Sequence, residues 1–383
     1  MKRLTLMQLF QGKTWFAPFS KNLTWLPLVV LVTTAAFGWA WLGKEVVPTS
    51  YHHRQLAAAQ AMARGMEVLA EYRHTHGPAM AREDYNETGL IGVEYSPLTT
   101  TLAPLWVKRT TANPNMAALV VRLLWEGGVR PGDRVAVGLS SSFPALNLAL
   151  GTALDAMEVE GVIISSLGSS SWGANHPNLT WLDMESLLYQ AGVIGRQSIA
   201  FSAGGRNDLI TGFSREGQEA LLAAVGRRKG ELINTGSLAA NIERRLEIYG
   251  NSDYAAYINV GGSLASLSEV SAVELRPGLQ KLQLLPSGVA PCSPLEVAQT
   301  GVVINLLEVG TLALRYGLPL DPYPLPPLGI GSVYMYEVVP LGRLAVALWL
   351  SLVALLSPLI VDAFKKRSKE KQIEQIGKGS LNS

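Results

Sequence analysis

The pattern of apolar and polar positions divides the chain into three parts. Two uninterrupted apolar runs stand near its ends, "WLPLVVLVTTAAFGWAWL" (Trp25–Leu42) and "LAVALWLSLVALLSPLI" (Leu344–Ile360), and neither holds a charged residue. A helix that crosses a bilayer needs roughly 20 such residues, so transmembrane helices are predicted at 25–43 and 343–364. The first run is too long for the apolar part of a secretory signal, and Trp25, Trp39 and Trp41 mark its edges, as expected at a membrane interface. An uncleaved anchor is the expectation.

Between these runs, short apolar segments alternate with amphipathic ones. Strands are predicted at Ile91–Tyr95, Arg134–Leu139, Gly161–Ser165, Ser198–Ser202, Ala256–Val260 and Gly301–Leu306. Helices are predicted at Asn115–Glu126, Phe143–Met157, Leu179–Gln190, Ser214–Arg228 and Leu238–Tyr249. This alternation indicates an α/β fold on a mainly parallel, Rossmann-like sheet. The strands lack period-two alternation, as expected where both faces are covered. An earlier helix over Thr49–Ala70 and a polar stretch, Glu71–Gly89, read as a membrane-proximal helix and linker (44–90) ahead of the α/β domain (91–317). The Pro-rich "LPLDPYPLPPLG" (Leu318–Gly329) opens a stiff connector, 318–342. About 290 residues between the spans suffice for one large or two small domains.

Charge gives orientation. Lys2, Arg3, Lys13 and Lys21 precede the first span (1–24), and Lys365, Lys366, Arg367, Lys369, Lys371 and Lys378 follow the second (365–383). Basic flanks stay in the cytoplasm, so both termini are expected there and the middle of the chain outside. Arg343 dissents, but it can reach the outer interface along its aliphatic stem. The whole chain is formally +2, yet residues 26–342 hold 21 Lys and Arg against 27 Asp and Glu. An acidic domain does not suit nucleic acid. The single cysteine, Cys292, excludes an internal disulfide.

Four predicted strands run into Ser/Gly-rich turns: "SSSFP" (Ser140–Pro144), "SLGSSSWGANHP" (Ser166–Pro177), "AGGRND" (Ala203–Asp208) and "GGSLAS" (Gly261–Ser266). In open parallel sheets ligands bind outside the carboxyl ends of the strands, where such turns meet. The candidate ligand-binding residues are therefore Ser141, Ser142, Ser170, Trp172, Asn175, His176, Arg206, Gly262 and Ser263. Arg206 could clamp a carboxylate with its two-pronged guanidinium. A catalytic elbow would require Gly-x-Ser-x-Gly, but in "GLSSSF" Ser142 replaces the second glycine. Ser140 or Ser142 as nucleophile would also need His176 as base, with Asp208 or Asp253 behind it. The turn reads instead as an anion cradle or as the cap of the following helix, Ser142 standing just ahead of Pro144. His74 and His76, two apart, lack the spacing of a helical zinc pair, and neither a Walker loop nor G-x-G-x-x-G follows a strand. No metal or cofactor is expected.

The segments "GVEYSPLTTT" (Gly92–Thr101), "TTANPNMAALVVRLL" (Thr110–Leu124), "GDRVAVGLSSSFPALNLAL" (Gly132–Leu150) and "INVGGSLAS" (Ile258–Ser266), enclosed by two spans, resemble the bacterial poly-gamma-glutamate system protein family. The resemblance implies a two-pass protein of the bacterial cytoplasmic membrane that accompanies the subunits making and exporting poly-γ-glutamate. It supplies no catalytic residue, so a non-enzymatic factor that handles the γ-glutamyl polymer is the leading expectation. An outer-face serine hydrolase or transferase acting on that polymer, and a small-molecule receptor, are the alternatives.

Overall fold

The computed structural model describes residues 25–250, 252–267, 275–281, 297 and 301–379, and within them the alternating pattern becomes a seven-stranded sheet. The basic residues ahead of the first apolar run, and Cys292, lie outside the described residues. The chain forms two compact units, one of Pro48–Met335 and one of the two chain ends, up to Val47 and from Tyr336.

In the larger unit the sheet strands are β1 (Arg134–Ser140), β2 (Glu160–Ser166), β3 (Ala200–Ser202), β4 (Glu231–Ile233), β5 (Tyr254–Val260), β6 (Gly278–Lys281) and β7 (Val302–Leu306). Their spatial order is β6-β7-β5-β1-β2-β3-β4, with every neighbour parallel except β6, which runs antiparallel to β7. The helices are α1 (His52–Thr75), α2 (Leu105–Thr111), α3 (Asn115–Glu126), α4 (Pro144–Met157), α5 (Trp181–Gln190), α6 (Arg215–Gly226), α7 (Leu238–Tyr249), α8 (Leu264–Leu267) and α9 (Val309–Arg315). From β1 the sheet grows outward through β2, β3 and β4, then returns to the other side of β1 for β5. The order therefore reverses between β1 and β5.

Local chemistry fixes the joins. At the end of α3, Gly128 has φ +90°, and the amides of Gly128 and Val129 return to the carbonyls of Trp125 and Leu124. This glycine-terminated stop satisfies two orphan carbonyls and directs the chain through "VRPGD" into β1. At α5, Thr180 and Asp183 form a reciprocal capping box. Both faces of the central strands are buried. Ala136, Val162, Ile164, Ala200, Tyr257 and Val303 form one core cluster with Tyr249 of α7. The alternate residues Val135, Val137, Leu139 and Ile163 are buried as well. Helix α4 lies against β1 and β2, and α1 and α3 pack on α4.

Several expectations change. Ile91–Tyr95 is not a strand. Its backbone meets Trp172 through two hydrogen bonds, Gly92 amide to Trp172 carbonyl and Trp172 amide to Val93 carbonyl. The Asn175 side chain also bonds both the amide and carbonyl of Val93, so no regular ladder extends from this contact. Helix α1 extends to Thr75 and buries Ala58, Ala59, Met62, Met66 and Leu69, so it belongs to the α/β unit. In the polar stretch after it, the buried Asp84 accepts hydrogen bonds from the amides of Thr88 and Gly89. The Pro-rich stretch also packs onto this unit: Asp321 takes a two-pronged ion pair from Arg109 at 2.5 and 2.6 Å. Strands β4 and β6 were not expected. They are short and mix polar with apolar residues, so their pattern carries no clear period.

In the unit of chain ends, the N-terminal helix Leu26–Leu42 has 17 residues, and the C-terminal helix runs from Leu341 to Gly379. The stretch Leu341–Glu370 is long and apolar enough to cross a membrane, while Leu26–Leu42 is apolar but shorter. Both are compatible with membrane association. The two helices meet through Ala36, Ala40 and Ala347, small side chains that allow close approach. The Arg343 guanidinium sits 5.1 Å from the ring of Trp39.

Candidate functional site

The reversal of strand order places the ends of β1 and β5 side by side with the ends of β2, β3 and β7. Their turns enclose a cavity of about 510 Å³, lined by Ser140, Ser142 and Phe143 after β1, and by Ser166, Gly168 and Ser170 after β2. Gly205 and Arg206 follow β3, Gly262, Ser263 and Leu264 follow β5, and Leu307 follows β7. Thr100 and Thr101 complete the wall, held there because Thr99–Thr101 pairs with Ser169–Ser170 as a second small sheet. The turns of β1 and β5 touch closely. Gly261 has φ +85°, and a Cβ on it would lie 2.8 Å from the Cβ of Ser140, so a side chain there would force the two strand ends apart.

A second cavity of about 390 Å³ shares Thr100, Gly205 and Arg206 with the first and continues past Tyr95, Pro97, Asn207, Phe213 and Ser214. The two form one groove with Arg206 between them. Gly204 and Gly205 both have φ +73°, which carries the chain around this tight bend. Arg206 is exposed and has no hydrogen bond or ion pair among the described residues. Among the described residues, neither cavity is lined by an Asp or Glu. A third cavity, about 430 Å³, opens at the opposite edge of the sheet. There Arg134 and Glu160 neutralise each other at 2.9 Å.

Beneath the first cavity lies a buried polar network. Arg245 of α7, fully buried, donates through Nη2 to Ser202 Oγ (2.6 Å) and Ser166 Oγ (3.1 Å), and lies 3.6 Å from Asp208 Oδ2. Asp208 Oδ1 accepts from Ser202 Oγ and from the Gly204 amide. Ser166 Oγ in turn sits 3.2 Å from Ser263 Oγ on the cavity wall. A buried charge is tolerated only when it is paired and hydrogen-bonded, and here both partners are held by the strand ends they brace. The Nε and Nη1 atoms of Arg245 have no partner among the described residues.

The expected residues separate into two groups. Ser140, Ser142, Ser170, Arg206, Gly262 and Ser263 line the cavity. Ser141 does not: it is fully buried behind the wall. Trp172, Asn175 and His176 do not line it either. Asn175 is buried, with its amide spent on Val93 and Thr99. His176 belongs to a small hairpin, where its Nδ1 accepts from the Asn178 amide. Burial, and then the charge of Arg73, lower its pKa. It lines neither half of the groove, and it has no hydrogen bond to the serines of the β1 turn among the described residues. Ser142 is not a cap: Phe143 holds the cap position of α4 and no side chain caps that helix. The Ser142 hydroxyl accepts from the Ser170 amide at 3.0 Å, so it ties the β1 and β2 turns together. Among the described residues, no group of three or more His, Cys, Asp or Glu could share a metal ion.

One residue absent from the sequence reading stands against this wall. Lys108 of α2 is 2% exposed, with Nζ 2.7 Å from Ser170 Oγ, donating to the Ser142 carbonyl and lying 3.9 Å from the centre of the Phe143 ring. No carboxylate among the described residues pairs with it. Burial alone lowers its pKa from 10.5 to about 7.

The unfolded chain holds the Lys108 proton up to about pH 10.5 and the folded chain only up to about 7. Between these values the unfolded state binds more protons, so stability rises with pH; below about 7 the deficit is complete. Urea unfolding of the full chain in detergent is expected to show this rise, at up to about 1.4 kcal/mol per pH unit, and Lys108→Met is expected to lose that component. Parallel pH dependences in the two proteins would contradict it. No family model, curated protein or solved structure matches the chain, so the functional reading rests on this geometry and on the segments quoted above.

Proposed function

We propose that this chain is a membrane-anchored component of a bacterial poly-γ-glutamate synthesis and export system, and that its α/β unit binds the γ-glutamyl chain in the groove at the carboxyl edge of the sheet. The observation that carries the reading is the charge distribution. Residues 26–342 are acidic overall, yet among the described residues no Asp or Glu lines either half of the groove, and Arg206, where the halves join, has no ion-pair partner among them. A polymer with a carboxylate on every residue meets net repulsion from the domain at large and a local cation in the groove. The groove's two connected cavities suit an extended chain better than a single small molecule. Hydroxyls of Ser140, Ser142 and Ser170 can donate to carboxylate or amide oxygens, as can the amides of the glycine turns.

What supports the membrane assignment is the pair of apolar runs, Leu26–Leu42 and Leu344–Ile360, and the basic residues that flank them toward the two ends of the chain. Under this reading both termini are cytoplasmic, the α/β unit is extracytoplasmic, and the partners are the membrane subunits of the polymer's synthase and exporter. The resemblance of the quoted segments supplies the pathway, and the groove supplies the contact.

Two measurements test this. With oligo-γ-glutamate as probe, Arg206→Ala is expected to weaken binding about tenfold or more, because a charge-assisted contact contributes roughly 1.5–3 kcal/mol. Arg206→Lys keeps the charge without the fork and is expected to recover part of the loss, while Arg134→Ala at the opposite edge leaves affinity unchanged. Equal affinity in wild type and Arg206→Ala would refute the groove as the polymer site. For topology, a single cysteine placed at Asn207 in a Cys292→Ala background is expected to react with a membrane-impermeant thiol reagent on intact cells, and one at Lys371 to be spared. The reverse pattern would overturn the orientation.

A further inference from the structure

The hydroxyls of the groove are not equivalent. Ser140 Oγ accepts the amide of Ser142, and Ser142 Oγ accepts the amide of Ser170. Ser166 and Ser263 are coupled to each other, and Ser166 also to Arg245. Among the described cavity-lining serines, only the Ser170 hydroxyl touches a group able to take a proton, Lys108 Nζ at 2.7 Å. We propose that Ser170 is a nucleophile and Lys108 its general base, which makes the groove a site of acyl transfer on an amide or ester carbonyl. The proposal rests on the groove taking a ligand, as argued above, and adds a reaction to it.

The surroundings fit the role. A serine hydroxyl is a weak nucleophile and needs a base within hydrogen-bond reach. An ordinary lysine, protonated at neutral pH, cannot serve, but desolvation produces a neutral amine. The groups that face Lys108 Nζ are the Ser142 carbonyl, the Ser170 hydroxyl and the Phe143 ring, and none is acidic. Its charged neighbour in sequence, Arg109, is turned to Asp321. One N–H of the neutral amine donates to the Ser142 carbonyl, which leaves the lone pair for the Ser170 hydroxyl. The Ser170 backbone is itself fixed by Ser142 Oγ at 3.0 Å. A lysine that merely satisfied the Ser142 carbonyl would have no need to face a hydroxyl on the cavity wall.

The step balances without a co-reactant. Ser170 Oγ attacks the carbonyl carbon while its proton passes to Lys108 Nζ. The tetrahedral intermediate collapses, the C–N or C–O bond to the leaving group breaks, and the Lys108 ammonium returns the proton to the departing amine or alcohol. The acyl group now on Ser170 is released by water, or by an amine acceptor: Lys108 takes the acceptor's proton and passes it to Ser170 Oγ as the acyl–oxygen bond breaks, which restores the starting pair. The amides of Gly205, Arg206 and Gly262, residues that line the same cavity, have no partner among the described residues.

The test is labelling of the full-length protein in detergent with a fluorophosphonate, followed by mass-spectrometric location of the adduct. The expected result is modification of Ser170, with a rate that rises through about pH 7 as Lys108 loses its proton. Ser170→Ala is expected to abolish the adduct, and Lys108→Met and Lys108→Arg each to slow it roughly a hundredfold or more, the scale of general-base catalysis. The wild-type pH profile needs no variant, so a lysine variant that fails to fold leaves the proposal open to refutation. No labelling in a protein that still binds oligo-γ-glutamate would overturn the dyad and spare the binding site. Labelling of Ser170 without any γ-glutamyl binding would support the dyad and remove the polymer.

Discussion

A parallel strand cannot follow its neighbour through a tight turn; the chain must leave at one edge of the sheet, cross over, and re-enter from the other. Because these strands are parallel, every strand of this sheet that runs with β1 delivers its exit turn to the same edge, and the shared hand of the crossovers sets the face on which each helix packs. When the chain returned to the near side of β1 to lay down β5, the two exit turns could no longer be covered by the same layer of helix. The gap between them is the floor of the groove. Ser140, Ser166, Arg206 and Ser263 are far apart in sequence, and the topology brings them to one wall.

That edge is costly to keep open. Hydroxyls and backbone amides exposed in a cavity must be held in place by something that does not fill it. Here the brace is internal: Arg245 and Asp208, both fully buried, grip Ser166 and Ser202 at the ends of β2 and β3 from below. On the adjoining wall Lys108 and the Ser142 hydroxyl fasten the turns after β1 and β2 to each other. The same contacts that hold the turns thus give the wall its charge. In a domain that is net acidic, no Asp or Glu among the described residues lines the groove, and two cationic side chains border it, Arg206 at the rim and Lys108 behind the wall.

The strands of the sheet's centre were legible in the sequence because burial on both faces demands unbroken apolar runs such as "VAVGL" and "YINV". The turns were legible because glycine and serine cluster where backbone must bend and bind. Ile91–Tyr95 misled because apolar character alone does not distinguish a strand from a coil whose backbone is served by a side chain, here that of Asn175. Lys108 was hidden for a different reason: "LWVKRTT" shows two adjacent cations, and nothing in their order says that Lys108 turns inward while Arg109 turns out to Asp321. Arg245 could have been found. It shares a helical face with Asn241, Ile242 and Tyr249, all buried, whereas Arg244 pairs at the surface with Glu231 and Glu247. Trp172, Asn175 and His176 drew attention because they stand in the longest turn. Length there serves a hairpin that closes the outer side of the wall, and the histidine is spent on it.

The central claim is that the reversal of strand order, with its four converging turns, is where this domain meets its ligand. Amide hydrogen exchange on the full-length protein in detergent, with and without oligo-γ-glutamate, reads this position by position. The account predicts that protection gathers at 140–143, 168–170, 204–206 and 261–264, and leaves the amides around Arg134 and Glu160 unchanged. Protection confined to the Arg134–Glu160 edge, or spread evenly over the domain at saturating ligand, would contradict it.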